Sequence, residues 1–369
     1  MLKKRLFMLL LAGMMLFNCS IAAVADTAKE SSGHIRWSTV RGKDTQNYNS
    51  VAYGNGRFVS VGSGGFIQVS EDGEKWRRIK GINQTSFLKV IYNGYIFVAA
   101  GDNVIIKSID GLKWETVLDL KDEPDSSFVH SPKFLGLHWD GTRFYAYGQG
   151  RFYSSPDGSV WKQCYQVKTD YSSGGFHGTT IDSLASSGTR LVATAVEDNY
   201  RILLTSEDGS TWTKTNAPNI AYPTHPFVFF NGKFFIVPGM ESLIYSEDGS
   251  SWHINTEKPP AALVWVEAVK GKCYGGDGKN LYISDDGFVW EKTSPAGGSI
   301  SVNGIAWDCG ETLVLVGDNG LMLRSAKNGP WSVVSPDVSY NTNSTATDGK
   351  LLVAVGDYGQ ILVTRDGSK

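Results

Sequence analysis

Cysteine is scarce: four residues in 369, too few for a disulfide framework. Cys19 lies in an apolar N-terminal stretch, leaving Cys164, Cys273 and Cys309 beyond it. Their spacing matches no zinc or thiol-redox motif, and single, partly buried thiols are expected, with a Cys273–Cys309 bridge as the alternative. An excess of charge of one sign is also lacking. The formal net charge of -2 leaves no basic field for nucleic acid. No apolar run after the N-terminus is long enough to span a bilayer. Low-complexity tracts and amphipathic helices of more than a turn or two are absent. So are a glycine-rich phosphate loop, an HExxH pair and a nucleophile elbow, and no cofactor or metal is expected.

Glycine (42 residues) and aromatics (12%) are plentiful instead, as suits many strands joined by tight turns. The N-terminus has the form of an export signal. Lys3, Lys4 and Arg5 precede the apolar run Leu6–Phe17, and Ala23–Ala25 offers small residues for cleavage, making Asp26 the first mature residue. The expected organisation is therefore a signal peptide over 1–25 and a single domain over 26–369, secreted or extracytoplasmic and monomeric. A lipid anchor through Cys19 is the alternative, disfavoured by the bulk of Asn18.

The dominant feature is a repeat. "SEDGEKW", "SIDGLKW", "SPDGSVW", "SEDGSTW", "SEDGSSW" and "SDDGFVW" recur down the chain. With the degenerate "SAKNGPW" and a truncated "TRDGSK", the boxes open at Ser70, Ser108, Ser155, Ser206, Ser246, Ser284, Ser325 and Thr364. Their spacing, about 38 to 51 residues, is the period of propeller blades. Each unit holds four short apolar runs, A to D, parted by turn signals such as Asn-Gly and Asp-Gly. An all-β propeller of four-stranded antiparallel blades follows, with eight blades expected and seven as the alternative should the "SAKNGPW" unit fail to form one. The last box ends before its tryptophan, while "IRWSTV" around Trp37 is a D strand without A, B and C. The N-terminal strand is expected to complete the last blade and close the ring.

In each box the aspartate can accept backbone N–H groups within the C–D turn, the glycine supplies positive φ, and the tryptophan anchors strand D. Asp72, Asp110, Asp157, Asp208, Asp248, Asp286 and Asp366 therefore read as structural. Copies spread round a ring cannot all face one substrate.

These boxes resemble the Asp-box (BNR) repeat of sialidase-like propellers, S-x-D-x-G-x-x-W, with one residue fewer between aspartate and tryptophan. Together with "NGxFVAVGxxGxI" before the box, the short form is similar to bacterial exported repeat proteins and to the propeller of photosystem II assembly factors. The resemblance covers nearly all of the mature chain and implies the fold rather than an activity. A sialidase would need an FRIP-like segment and an arginine triad; the nearest echo, "YRIL" from Tyr200, is expected in a B–C loop and lacks the proline.

Unequal unit lengths point to the site. Three expanded D–A connections bring His130, His177 and His225 with Tyr171 and Tyr222, and the B–C loop of unit four adds Glu197, Asp198 and Tyr200. Strand alternation puts all of these on one rim, opposite the boxes, and long loops on a regular scaffold tend to carry function. The expected role is non-catalytic binding of a protein or extracellular polysaccharide through blades three to five. A secreted glycan-active hydrolase or lyase is the alternative, and assembly of a membrane complex is a further possibility implied by the resemblance.

Overall fold

A computed structural model describes residues 36–41, 46–80, 84–121, 133–167, 180–197, 200–215, 227–236, 243–256, 259–293, 301–307, 312–326, 329–334 and 339–365. These form eight four-stranded antiparallel sheets, each a blade. Blades 1 to 7 run Tyr48–Ile79, Phe87–Asp119, Phe134–Gln166, Thr180–Thr215, Phe227–Ile254, Trp265–Lys292 and Val302–Val333. Blade 8 takes three strands from Thr342–Arg365 and its outermost strand from Arg36–Arg41, paired antiparallel with Gln360–Arg365 so that Trp37 faces Thr364. The ring thus closes as the orphan D strand required. Blade 7 is complete despite its degenerate box, which rules out seven blades.

Blades pack face to face, so both sheet faces are buried and their strands read as unbroken apolar runs such as Thr312–Gly317. Each box tryptophan lies against the preceding blade. Trp161 joins Val98 and Ile105 of blade 2, Trp212 stacks on Phe152 of blade 3 at 4.4 Å, and Trp331 meets Tyr274 of blade 6. Trp37 does the same for blade 8, against Val314 and Met322 of blade 7.

The box glycines obey two constraints at once. Gly209 has φ +66°, and a Cβ there would lie 2.0 Å from Tyr145 Oη of the preceding blade. Gly232, in the A–B turn of blade 5, has φ +77° with nothing within 4 Å. Gly232→Ala is therefore expected to cost only the left-handed backbone penalty, about 1–2 kcal/mol. Gly209→Ala adds the clash, about a further 1–3 kcal/mol. Urea unfolding of the two variants side by side checks the order.

The innermost strands carry a second device. Six of the eight carry a bulge near their start, one residue in for blades 1, 2, 3, 7 and 8 and two residues in for blade 4. Where the bulged residue is asparagine, its amide donates to the first strand of the next blade. Asn303 reaches Thr342 O, Asn343 reaches Tyr48 O and Asn49 reaches Phe87 O, at 3.3, 3.0 and 2.8 Å. The following serine helps: Ser344 Oγ accepts Val51 N–H and Ser50 Oγ accepts Val90 N–H. Blades 7, 8, 1 and 2, which flank the closure, are latched to one another through these polar contacts around the channel.

Candidate functional site

The boxes form one rim and are occupied by their own turn. Asp72 Oδ1 accepts N–H from Glu74 (2.9 Å) and Lys75 (2.7 Å) and the Ser70 hydroxyl (3.1 Å), while Trp76 Nε1 donates to Gly73 O (2.7 Å). Asp110, Asp157, Asp208, Asp248 and Asp286 accept backbone N–H groups in the same way, and the tryptophan bond recurs at Trp114, Trp161 and Trp290. Bonds from Thr211 and Ser210 pull the Asp208 carboxyl down to about 2. A carboxylate whose pKa is depressed on folding stabilises above its unfolded value, about 3.9, and loses that contribution as pH falls through the folded value. Stability is thus expected to drop between about pH 4 and pH 2, and less steeply in Asp208→Asn; thermal unfolding across that range checks it.

The ring's centre is different in character. The eight innermost strands enclose a cavity of about 400 Å³, walled by Ala52, Val90, Leu137, Trp139, Val228 and Ala306 among others. Into this apolar space project Lys89, His138 and Glu267. Lys89 stands on blade 2 and Glu267 on blade 6, four blades apart in a ring of eight, and so on opposite walls. Neither has a hydrogen-bond or ion-pair partner within reach among the described residues. Lys89 keeps accessible surface and lines the cavity. Burial lowers the pKa of its ammonium, an effect the Glu267 charge opposes. Burial likewise raises the Glu267 carboxyl to about 7, against the pull of Lys89. His138 is pushed down to about 4 by burial, with the Asp140 charge opposing, and its Nε2 is buried without a hydrogen-bond partner among the described residues.

Next to this pair a tyrosine takes the place of an inner side chain. Gly136 lies just after the bulge of blade 3 and pairs in register with Tyr147. A Cβ on Gly136 would fall 2.2 Å from Tyr147 Cζ, so only glycine lets the ring lie across the strand. Burial first, then the charges of Asp182 and Glu267, push the Tyr147 hydroxyl up to about 12. On blade 4, Asp182 is already engaged, by Arg201 at 3.0 Å and Thr194 at 2.8 Å.

Of the rim residues, Glu197 ends a strand and forms an ion pair with Lys214, while Tyr200 opens the next strand, 76% exposed. His130, Tyr171, His177, Asp198, Tyr222 and His225 lie outside the described residues, as do Asp366 and Cys309. Arg201 corrects one expectation. It sits inside strand Tyr200–Ser206, not in a loop, with its guanidinium buried against Asp182 of the innermost strand. Cys164 and Cys273 are free thiols, and Cys273 is fully buried. Asp318 and Asp277, in "GDNG" and "GGDG", serve their turns: Asp318 accepts the Asn303 amide, and Asp277 accepts N–H from Lys279 and Asn280. Among the described residues no cluster of three or more His, Cys, Asp or Glu could hold a metal, and no helix is long and apolar enough to cross a membrane.

The channel charges escaped the sequence reading. Lys89 and Glu267 lie 178 positions apart within ordinary A strands. The available signal was a charged residue at the centre of a strand otherwise expected to be buried.

No protein-family model matches the chain, and no curated protein matches it. Solved structures do. The computationally designed Ika8 protein aligns with TM-score 0.65 at 9% identity, over 88% of this chain and 98% of that one. The Dos1 propeller gives 0.64 at 11%, over 91% and 96%. YCF48 bound to D1 peptide gives 0.53 at 16%, over 89% and 96%. At these identities the likeness establishes the fold: the chain is a β-propeller.

Proposed function

We propose that the chain is an exported, non-catalytic binding propeller that receives a protein or peptide partner from the rim opposite the boxes, with the central channel as its seat. The observation that carries this is the pair of unpartnered charges, Lys89 and Glu267, held on opposite walls of an apolar cavity. Buried charges are costly to maintain, so groups left unpaired in a cavity are natural contacts for an incoming ligand. A second reading has its own support. A carboxyl near neutrality, as at Glu267, suits proton transfer, which keeps a glycan hydrolase or lyase in view. The expanded loops bearing His130, Tyr171, His177, Tyr222 and His225, with Tyr200 beside them, would widen the contact beyond the channel. A peptide is favoured because aliphatic side chains such as Val51, Ile91, Leu137 and Val228 line the cavity beside the two opposite charges. YCF48, a propeller of the same architecture, was solved with a peptide, which illustrates what such a fold can hold.

The test is selection from a displayed random-peptide library on the immobilised mature chain, alongside a glycan array assayed for both binding and turnover. Peptides that bind wild type and lose affinity for Lys89→Met support the proposal. Glycan turnover abolished in Glu267→Gln would replace it with the enzyme.

A further inference from the structure

Resting on the reading of the channel as a ligand seat, we propose that the channel recognises a small zwitterion with an apolar body, an α-amino acid or short peptide with free termini. Lys89 takes the carboxylate and Glu267 the ammonium, from opposite walls.

Three observations meet here. The first is charge: one cation and one carboxylate face the same cavity, with no ion pair between them at 4.0 Å or less and no other partner among the described residues. Two long side chains on facing walls could meet in a direct pair, and here they do not. A ligand carrying both charges would satisfy both at once and stay neutral overall. A ligand of single charge would satisfy one and leave the other without a partner in the cavity.

The second is shape. A volume of about 400 Å³ falls in the range of small-molecule sites, and its wall is otherwise mainly aliphatic and aromatic, with Val51, Ile91, Leu184 and Trp139 available to an apolar side chain. The third is depth. By strand register His138 and Glu267 stand at the same level, and Lys89 stands two residues, about 7 Å, away along the channel. The buried Nε2 of His138 has no hydrogen-bond partner among the described residues. A ligand spanning the two charges, as a dipeptide would, brings a polar group to the level of His138.

The experiment is titration calorimetry on the mature chain at pH 8, supported by Trp139 fluorescence. The probes are L-leucine, L-leucyl-L-leucine, 3-methylbutylamine (leucine without its carboxylate) and 4-methylpentanoate (leucine without its ammonium). Saturable binding of leucine or the dipeptide is expected, weakened at least tenfold when either charge is removed. The variants should cross over: Lys89→Met no longer distinguishes leucine from the amine, and Glu267→Gln no longer distinguishes it from the acid. Should Lys89→Met fail to fold by circular dichroism, Lys89→Gln takes its place. A preference for leucine identifies the free amino acid as the source, and a preference for the dipeptide identifies a peptide. Equal binding of all four probes, equal binding of an end-blocked dipeptide, or no saturable binding overturns the proposal. If library peptides still bind, and do so independently of both charges, the zwitterion fails and the binding propeller stands. If nothing binds in either experiment, both fail.

Discussion

Glu267→Gln is expected to make the free protein more stable at pH 8, and to make no difference below about pH 4.5. The Glu267 carboxyl has its folded pKa raised to about 7, first by burial and against the Lys89 charge. A carboxyl whose pKa rises on folding favours the folded state in its protonated form. That contribution is complete below the unfolded value, about 4.3, and is lost as pH rises to the folded value. Above pH 7 the wild-type protein carries the full cost of an ionised carboxylate in the channel. At 1.36 kcal/mol per pH unit, the neutral amide would relieve about 3–4 kcal/mol. Part of that is returned because Lys89 loses its stabilising carboxylate. Lys89→Met acts in the opposite direction, moving the Glu267 midpoint above 7 and deepening the loss at pH 8. Urea unfolding of wild type and both variants from pH 4 to pH 9 gives the three curves. Parallel curves for wild type and Glu267→Gln would mean that the carboxylate is solvated, and the channel would lose its special character.

Removing the first strand should have a larger effect still. A chain beginning at Gln46 lacks Arg36–Arg41, so strand Gln360–Arg365 becomes a free edge in a ring that can no longer close. Trp37 leaves the face of blade 7, and Val40 leaves the core shared by blades 8 and 1. The truncated protein is expected to unfold many degrees lower or to associate through the exposed edge. Trp37→Ala keeps the pairing and removes only the anchor. Being half-buried, Trp37 should cost about 2–3 kcal/mol, below the 3–5 of a fully buried tryptophan. Size-exclusion chromatography with thermal unfolding separates these outcomes, and a truncated chain that melts like wild type would contradict closure by this strand.

Period and closure were legible in the sequence because both are local. A Ser-x-Asp-Gly turn is specified within seven residues, and a lone D strand beside a truncated last box leaves one way to finish the ring. Blade 7 also formed without a complete box: Ser325 finds Gly329 O as an acceptor, and Trp331 still packs on blade 6. What the boxes do was therefore readable, down to the aspartate accepting two successive N–H groups. The channel was not. Lys89 and Glu267 line one cavity only because blades 2 and 6 face each other, a relation set by ring size and not by any neighbouring residue. Gly136 looked like one more strand glycine, yet its missing Cβ is what admits Tyr147. Glu197 shows the converse limit: placed in the B–C loop from the sequence, it ends strand Leu191–Glu197, and Lys214, two strands away in the same blade, pairs with it.

On the proposed function the molecule divides into a rim of clasps and a channel that binds, and one comparison tests that division. It is the affinity for L-leucine and L-leucyl-L-leucine of folded Asp208→Ala and folded Lys89→Met, measured together at a temperature where both are native. The account predicts that Asp208→Ala lowers the unfolding midpoint and binds as wild type does, while Lys89→Met loses the carboxylate-dependent affinity. Binding lost in Asp208→Ala and kept in Lys89→Met would contradict it.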